Sequence, residues 1–218
     1  MANQFIYGRR PVAEAERGRR RVHRVWRAPE TAAEELERLC GSPDHQGMVA
    51  EVDPYPYGDP QAMLRKEGAL LVALDQVQDP RNLGAVCRSA EFAGAAGVVF
   101  PERRSATVTP VVCKTSAGAV EHLEVAHVRN LADWLAEAKE AGFWIWGADA
   151  DAEQAPWSVD LTGPTVLVLG GEGKGLRPRV AKACDGLIAL PQHGNVDSLN
   201  VSAAATALLF EAVRQRAT

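Results

Sequence analysis

The sequence lacks the segments that would place a protein in a membrane or direct it out of the cell. Its longest apolar runs, residues 69–74 and 165–169, are much shorter than the roughly 20 residues that span a bilayer. The first residues reach their arginines without an intervening apolar segment, so no secretory signal is visible. From these features we expect a protein without membrane contact.

Cysteine is scarce, and internal repeats and low-complexity tracts are missing. The four cysteines, Cys40, Cys87, Cys113 and Cys184, are widely separated and show no spacing typical of a zinc site. We therefore expect no metal, and a reducing cytoplasm fits this cysteine usage best.

Charge is unevenly distributed along the 218 residues. The chain has a net charge of −4, yet residues 1–27 carry eight arginines against two glutamates, a net charge of +6 that leaves −10 for the remainder. Such a cluster is a plausible contact surface for nucleic-acid phosphates, although a solvated helix face would explain it equally well. The arginines that we expect to make these contacts are Arg9, Arg10, Arg19, Arg20 and Arg21.

Two regions with different patterns are predicted on either side of a proline-rich stretch. Residues 1–53 contain helical patterns at 11–17 and 31–39 and strand patterns at 22–26 and 48–52. Residues 53–60 hold three prolines and a glycine, which predicts a linker, taken here as 54–68. Residues 69–218 form the second region.

The second region alternates strands with helices. The predicted strands are 70–74, 98–100, 124–128, 143–148, 166–169 and 187–190, and the predicted helices are 83–93, 109–120, 131–141, 177–183 and one from Asn200 onward. This alternation predicts an α/β fold with a parallel sheet covered by helices on both faces. In such sheets, ligands bind in the loops at the carboxyl ends of the strands.

The first chemically rich loop follows strand 70–74 and opens a helix. Asp79 and Pro80 have the pattern of an N-cap followed by proline at the first helical position. Arg88 lies beside the buried stripe of this helix, where it is available for a ligand or for an ordinary ion pair with Glu91. The spacing alone favours the ion pair.

The second loop, residues 170–175, is Gly-Gly-Glu-Gly-Lys-Gly. Its glycines allow the backbone to approach a ligand closely, although a tight connection without a ligand would also use them. It satisfies neither the P-loop pattern, because Lys174 is followed by Gly175, nor the dinucleotide fingerprint, whose third glycine stands one position later. A nucleotide-like ligand bound in another way is indicated.

The third loop ends in Ser198-Leu199-Asn200 and leads into the apolar final helix. Ser198 is predicted to be the N-cap of that helix, and Asn200 to fix the turn or a ligand.

Together and in this order, the three loops closely resemble the motifs of the SpoU, or TrmH-type, RNA ribose 2′-O-methyltransferases. These motifs are Asn-Leu-Gly-Ala-Val-Cys-Arg at 82–88, Leu-Gly-Gly-Glu-Gly-Lys-Gly-Leu at 169–176, and the run from Leu190 through Ser198 and Asn200. The opening residues 6–15 and 44–47 resemble the L30e-like RNA-binding domain of the branch that methylates a guanosine of 23S ribosomal RNA.

The resemblance implies a carboxyl-terminal trefoil knot, S-adenosylmethionine as the cofactor, a homodimer and an RNA substrate. The implied catalytic residues are Asn82, Arg88, Glu172, Ser198 and Asn200. The implied cofactor contacts are Thr115, Ser116, Gly118, Leu169, Gly170, Gly171, Glu172, Gly173, Ile188, Leu190, Ser198, Leu199 and Asn200.

Methyl transfer needs alignment of a ribose oxygen with the methyl carbon and removal of the hydroxyl proton. Because a guanidinium stays protonated at neutral pH, we expect Arg88 to orient the hydroxyl and neutralise charge instead of taking the proton. The alternatives are methylation of transfer RNA and a non-catalytic RNA- or ribosome-binding protein of the same fold. A Rossmann-type enzyme is disfavoured by the glycine spacing.

Overall fold

A computed structural model describes residues 3–171, 173, 175–195 and 198–217. The strands are β1 (Gln4–Tyr7), β2 (Val22–Arg27), β3 (Met48–Val52), β4 (Leu70–Asp75), β5 (Gly97–Pro101), β6 (Val125–Val128), β7 (Trp144–Ala148), β8 (Thr165–Gly170) and β9 (Gly186–Ile188). The helices are α1 (Arg9–Arg17), α2 (Ala33–Cys40), α3 (Pro60–Leu64), α4 (Pro80–Phe92), α5 (Pro110–Thr115), α6 (Leu131–Glu140), α7 (Pro178–Ala183) and α8 (Val201–Arg216). Short 3₁₀ turns occupy Pro43–His45, Ala119–Glu121 and Pro156–Ser158.

The strands form two sheets. The first three pair antiparallel in the order β1-β3-β2. The other six pair parallel in the order β6-β5-β4-β8-β7-β9. The predicted α/β fold with a parallel sheet is therefore confirmed.

Strand β4 shows why the parallel sheet is covered on both faces. All of its residues are buried, and alternate side chains belong to different cores, as the two-residue period of a strand requires. Leu70, Val72 and Leu74 pack with the buried sides of α4, α5 and α8, whereas Leu71 and Ala73 pack with α6 and α7. The strand lies in the interior of the sheet, between β5 and β8.

Two segments differ from their predicted structure. The helix predicted for 109–120 ends at Thr115, because Ala117 and Gly118 have positive φ angles of 53° and 89°. The predicted linker 54–68 contains the helix α3, which buries Met63 and Leu64. The apolar pattern did not reveal that the helix stops at Thr115, because apolar residues occur both before and after that point.

The amino-terminal segment is anchored to the parallel sheet by buried polar contacts. The Arg20 Nε donates to Glu121 Oε2 at 2.9 Å, its Nη2 forms a second bond with the same carboxylate, and both side chains are almost completely buried. Burial is the largest effect on the Arg20 pKa and lowers it, but the hydrogen bonds and charge interactions with Glu121 and Cys113 together outweigh burial and raise that pKa. The prediction that Arg20 contacts RNA is therefore wrong, because the guanidinium is used inside the protein.

Tyr55 adds a second anchor from the segment that follows β3. Its hydroxyl donates to the Val120 carbonyl at 2.8 Å, and the Arg19 guanidinium donates to the Leu123 carbonyl at 2.6 Å. These contacts lie beside the Arg20–Glu121 pair, so α1, the predicted linker and the turn after α5 meet at one place.

Across the described residues, none of the helices is both long and apolar enough to cross a membrane. All four cysteines are free thiols, and burial raises the pKa of Cys87 to about 12 and that of Cys113 to about 11. Within the described ranges, no three His, Cys, Asp or Glu side chains are grouped so that they could hold a metal.

Removal of Arg20 is expected to destabilise the protein strongly. Arg20→Ala leaves the Glu121 carboxylate buried without a partner, which costs about 3–5 kcal/mol of the free energy of unfolding. Urea denaturation measures this value. The double variant Arg20→Met with Glu121→Leu is expected to lose less, since no buried charge remains. Arg17→Ala is the control, because the Arg17 side chain is 73% exposed; an equal loss in Arg17→Ala and Arg20→Ala would contradict the assignment.

Candidate functional site

The glycine loop after β8 is held tightly against the end of β4. The Gly171 amide donates to the Asp75 carbonyl at 2.9 Å, and a Cβ on Gly171 would lie 2.5 Å from the Gln76 carbonyl oxygen. A Cβ on Gly170 would lie only 2.1 Å from the Gly175 carbonyl carbon. Both positions therefore exclude a side chain because of the protein's own backbone, whatever ligand the loop binds.

Gly173 and Gly175 bend this loop back on itself. Their φ angles are 73° and 60°, a region that glycine enters without steric cost. Gly171 and Gly175 then face each other in an antiparallel bridge. Glu172, predicted to act in both catalysis and cofactor binding, lies outside the described residues.

Asp75 fixes the far end of the same loop, a role that sequence reasoning missed. Its buried carboxylate accepts hydrogen bonds from the Arg177 backbone amide at 2.8 Å and from Arg177 Nε at 2.7 Å. The loop that begins beside Asp75 at Gly171 thus returns to Asp75 just before α7. The sequence did contain a signal for this role, because Asp75 directly follows the predicted apolar strand 70–74, where side chains at the edge of a parallel sheet are expected to be functional.

The first and third predicted motifs meet through their two asparagines. Asn200 Nδ2 donates to Asn82 Oδ1 at 3.0 Å, which joins the start of α8 to the first turn of α4. Asn200 Oδ1 also accepts from the Ser202 amide at 2.8 Å, so Asn200 is the N-cap of α8. The prediction that Ser198 caps the helix is wrong, and the exposed Ser198 stands just outside it.

The apolar residues predicted to touch the cofactor differ in exposure. Leu169, next to the end of β8, and Ile188, at the end of β9, have side chains in the main core, so a ligand could reach only their backbone. Leu190 packs on the edge of that core, and the Leu199 side chain is 61% exposed. Leu199 and Ser198 are thus accessible beside the Asn82–Asn200 contact.

The end of α5 packs on α4 and on the amino-terminal segment. A Cβ on Gly84 would lie 2.8 Å from Thr115 Cβ, so this glycine allows the two helices to touch. The buried Ser116 hydroxyl donates to the Cys113 carbonyl, and Gly118 lies against the Glu14 side chain of α1. Ser116 and Gly118 hold this junction, and neither presents a group to a ligand.

Arg88 faces a basic groove and not the two asparagines. The groove is a cavity of about 640 Å³ lined by Arg9, Arg10, Pro11, Gln46, Arg88, Lys114 and Ala117. Arg88 is exposed, and the ion pair with Glu91 does not form among the described residues. Of the predicted RNA-binding arginines, Arg9 and Arg10 lie in the groove, Arg21 is exposed elsewhere, and Arg19 is partly committed to the Leu123 carbonyl.

Most of the parallel-sheet region matches the model of a known protein family. The model of the SpoU rRNA Methylase family matches residues 69–210, which include all three motifs. The chain belongs to this family. The predicted family is thereby confirmed, and so, at the level of the family, are the predicted RNA methyltransferase and its cofactor S-adenosylmethionine.

Two relatives and one solved structure show the range of similarity within the SpoU family. The chain is 39% identical to an uncharacterized tRNA/rRNA methyltransferase of Synechocystis, over 99% of its own length and 63% of that protein. It is 47% identical to the 23S rRNA (guanosine-2′-O-)-methyltransferase RlmB of Pseudomonas putida, over 79% of the chain and 71% of that protein. The SpoU methyltransferase AviRb of Streptomyces viridochromogenes, solved with AdoMet, superposes with a TM-score of 0.85 at 27% identity, covering 100% of this chain and 91% of that one.

Gly170→Ala is expected to disrupt the SpoU glycine loop. The new methyl group would meet the backbone of Gly175, and such overpacking costs about 1–3 kcal/mol of the free energy of unfolding. Cofactor affinity, measured by titration calorimetry with S-adenosylmethionine, is expected to fall as well. The matched control is Gly163→Ala, since a Cβ there meets nothing within 4 Å. Equal cofactor affinity in the two variants would show that the loop geometry does not matter for binding.

Proposed function

We propose that this chain transfers the methyl group of S-adenosylmethionine to the 2′-hydroxyl of a guanosine in 23S ribosomal RNA. The observation that carries the proposal is the 3.0 Å contact between Asn82 and Asn200, which joins the first and third family motifs at one edge of the sheet. The guanosine is proposed because the Pseudomonas putida relative bears that activity in its name and is 47% identical over 79% of the chain.

The accessible residues at this edge fit such a cofactor. Ser198 offers an exposed hydroxyl and Leu199 an exposed apolar side chain, and Gly170 and Gly171 bring backbone without side chains to the end of β8. A ligand with polar and apolar ends can be held by such a combination. S-adenosylmethionine supplies a methyl group activated by a sulfonium when it is bound. The proposed cofactor contacts within the described residues are Leu169, Gly170, Gly171, Gly173, Ile188, Leu190, Ser198, Leu199 and Asn200, with Thr115 beside α4.

The chain's own residues then have to position the ribose and manage its proton. Asn82 and Asn200 hold each other, which fixes the first turns of α4 and α8 relative to the glycine loop. Ser198 orients the hydroxyl or the methionine end of the cofactor, and Glu172, although outside the described residues, is proposed to hold Asn82 or Arg88. Arg88 orients the hydroxyl and neutralises the developing negative charge, because its guanidinium keeps its proton.

The finer architecture of the family is also part of the proposal. We propose a trefoil knot within the carboxyl-terminal region, supported by the TM-score of 0.85 with AviRb over the whole chain. We propose that residues 1–53 form an L30e-like RNA-binding domain and that 54–68 link it to the catalytic domain 69–218. The antiparallel sheet β1-β3-β2 with α1 and α2 supports a separate small α/β unit. A ribosomal RNA substrate favours the cytoplasm as the place of action.

A homodimer is proposed from an exposed aromatic pair on α4 and α8. Phe92 is 77% exposed and Phe210 is 41% exposed, with ring centroids 6.0 Å apart. Two adjacent exposed aromatic rings are unusual on a monomer and typical of the centre of an interface. Asn82 and Asn200 stand at the starts of the same two helices, about 15 Å along the axes from the rings, so an interface here would run along the helices that form the site.

The activity is tested by transfer of labelled methyl from S-adenosylmethionine to purified 23S ribosomal RNA and, separately, to transfer RNA. Label in 23S RNA that maps to the ribose of a guanosine is the expected result. Label in transfer RNA alone would replace the substrate, and binding of RNA without any transfer would indicate the non-catalytic alternative.

Arg88→Ala is expected to slow methyl transfer by about 100-fold or more, the size of effect that a group acting on the reacting hydroxyl has. Cofactor affinity is expected to stay unchanged, because Arg88 faces the groove and not the glycine loop. Single-turnover rates and calorimetry measure the two quantities. Arg65→Ala is the control, since that side chain is 69% exposed at the end of α3. Near-normal turnover of Arg88→Ala would remove Arg88 from the catalytic set.

Phe92→Asp is expected to convert the dimer into monomers, because it places a charge in the proposed aromatic contact. Sedimentation equilibrium measures the mass. Trp157→Asp serves as the control, since Trp157 is 59% exposed on the 3₁₀ turn Pro156–Ser158 and contacts neither ring. A wild-type monomer, or a dimeric Phe92→Asp variant, would refute this interface.

A further inference from the structure

The basic groove is built by both regions of the chain. Arg9 and Arg10 come from the start of α1 and Gln46 from the turn before β3, whereas Arg88 comes from α4 and Lys114 from α5. The cavity of about 640 Å³ therefore exists only where the amino-terminal segment lies against the parallel-sheet region.

The residues that line this groove carry an excess of positive charge. Four of its lining residues are cationic, and none of the described lining residues is an Asp or Glu. The Arg10 and Arg88 side chains form no ion pair with any described residue, unlike Arg17, Arg27 or Arg38. Asp44 is the acidic residue near Lys114, so the four cations outnumber the acidic groups beside them and attract a polyanion.

Lys114 is held in place by the backbone of the opposite region. Its Nζ donates to the Asp44 carbonyl at 2.8 Å, and a Cβ on Gly8 would lie 2.7 Å from that same Nζ. Partial burial lowers the Lys114 pKa from its ordinary value, with the nearby Asp44 acting in the opposite direction. Lys114 lines the groove, and its hydrogen bond to Asp44 uses one of the three donors that an ammonium carries.

Gln46 positions the neighbouring arginine. The Arg9 Nε donates to the Gln46 carbonyl at 3.2 Å, and the Arg9 amide donates to the Gln46 side-chain oxygen at 3.3 Å. The remaining guanidinium nitrogens of Arg9 are left for a ligand. The groove thus combines two tethered cations, Arg9 and Lys114, with two unpaired ones, Arg10 and Arg88.

We propose that this groove binds the phosphodiester backbone of the substrate RNA next to the target nucleotide, and that Lys114 and Arg10 are positioning residues that contact its phosphates. The inference rests on the proposed function: Arg88 lines the groove and is proposed to act on the ribose hydroxyl, so the RNA strand is expected in the groove. A strand held there would bring a ribose to Arg88, which lines the same groove. Lys114 belongs to none of the three motifs, and phosphate is the ligand that arginine and lysine donors bind best together.

The test compares the salt dependence of RNA binding in Lys114→Gln, Arg10→Gln, the double variant and the wild type. Filter binding to purified 23S ribosomal RNA is measured from low to moderate salt. Each lost phosphate contact is expected to reduce the slope of log affinity against log salt by about 0.7–0.9, and the double variant by about twice that. The control is Arg38→Gln, because that side chain is 78% exposed on α2 and away from the groove.

A turnover readout separates positioning from a merely structural effect. Lys114→Gln and Arg10→Gln are expected to raise KM for RNA with little change in kcat, while calorimetry gives an unchanged affinity for S-adenosylmethionine. Circular dichroism and thermal unfolding check that both variants are folded, and Lys114→Arg is expected to keep the wild-type slope of log affinity against log salt.

Slopes and KM values equal to those of Arg38→Gln would overturn the proposal. Equally tight binding of polyglutamate would also overturn it, because it would indicate an acidic protein as the partner. If the wild type binds RNA with the expected slope but transfers no methyl group, the proposed function fails while the groove is retained.

Discussion

A buried ion pair lies where the two regions of this protein meet and restricts how they can be placed relative to each other. Arg20, just after α1, and Glu121, just after α5, lie in the interior with almost no exposed surface. Two charges without water are stable only when each satisfies the other, so the pair permits little sliding between α1 and α5. Everything that depends on the relative position of these helices, above all the approach of Arg9 and Arg10 to Lys114, depends on this contact. The arginines of the amino-terminal segment therefore have different roles: Arg20 joins the two regions, whereas Arg9 and Arg10 line the groove between them.

The edge of the parallel sheet is organised by close backbone contacts of a different kind. Gly170 and Gly171 lie so near to other backbone atoms that no side chain fits, and Asp75 closes the loop by holding Arg177. Contacts that hold a site in place before a ligand arrives reduce the entropy that binding must overcome. The hydrogen bond between Asn82 and Asn200 adds the starts of two helices to the same edge of the sheet. A methyl transfer that depends on alignment needs a frame of this kind.

The sequence predicted the parallel sheet well, because continuous apolar strands and helical spacing are properties of neighbouring residues. It also predicted the cap of α4 at Asp79, whose side chain accepts from the Arg81 amide at 2.8 Å. Contacts between distant segments could not be predicted in this way. Arg20 looks like its neighbours Arg19 and Arg21 until Glu121 is placed beside it, more than a hundred positions away. Ser198 and Asn200 are both good caps, and only the fold determines that Asn200 is used.

The glycine loop and the groove are connected by one helix. Asn82 and Arg88 both belong to α4, so they are separated by about 9 Å along its axis and by about a third of a turn around it. Asn82 is therefore directed to α8, while Arg88 is directed to α5 and the amino-terminal segment. Because both side chains are carried by one helix, this angle between them is fixed by their spacing in the sequence. Under the proposed function, a nucleotide that meets both has its phosphates on the side of Lys114 and its ribose between Arg88 and the asparagines. In that arrangement the proposed RNA groove and the proposed cofactor edge act on one nucleotide although Arg88 and the asparagines face different neighbours.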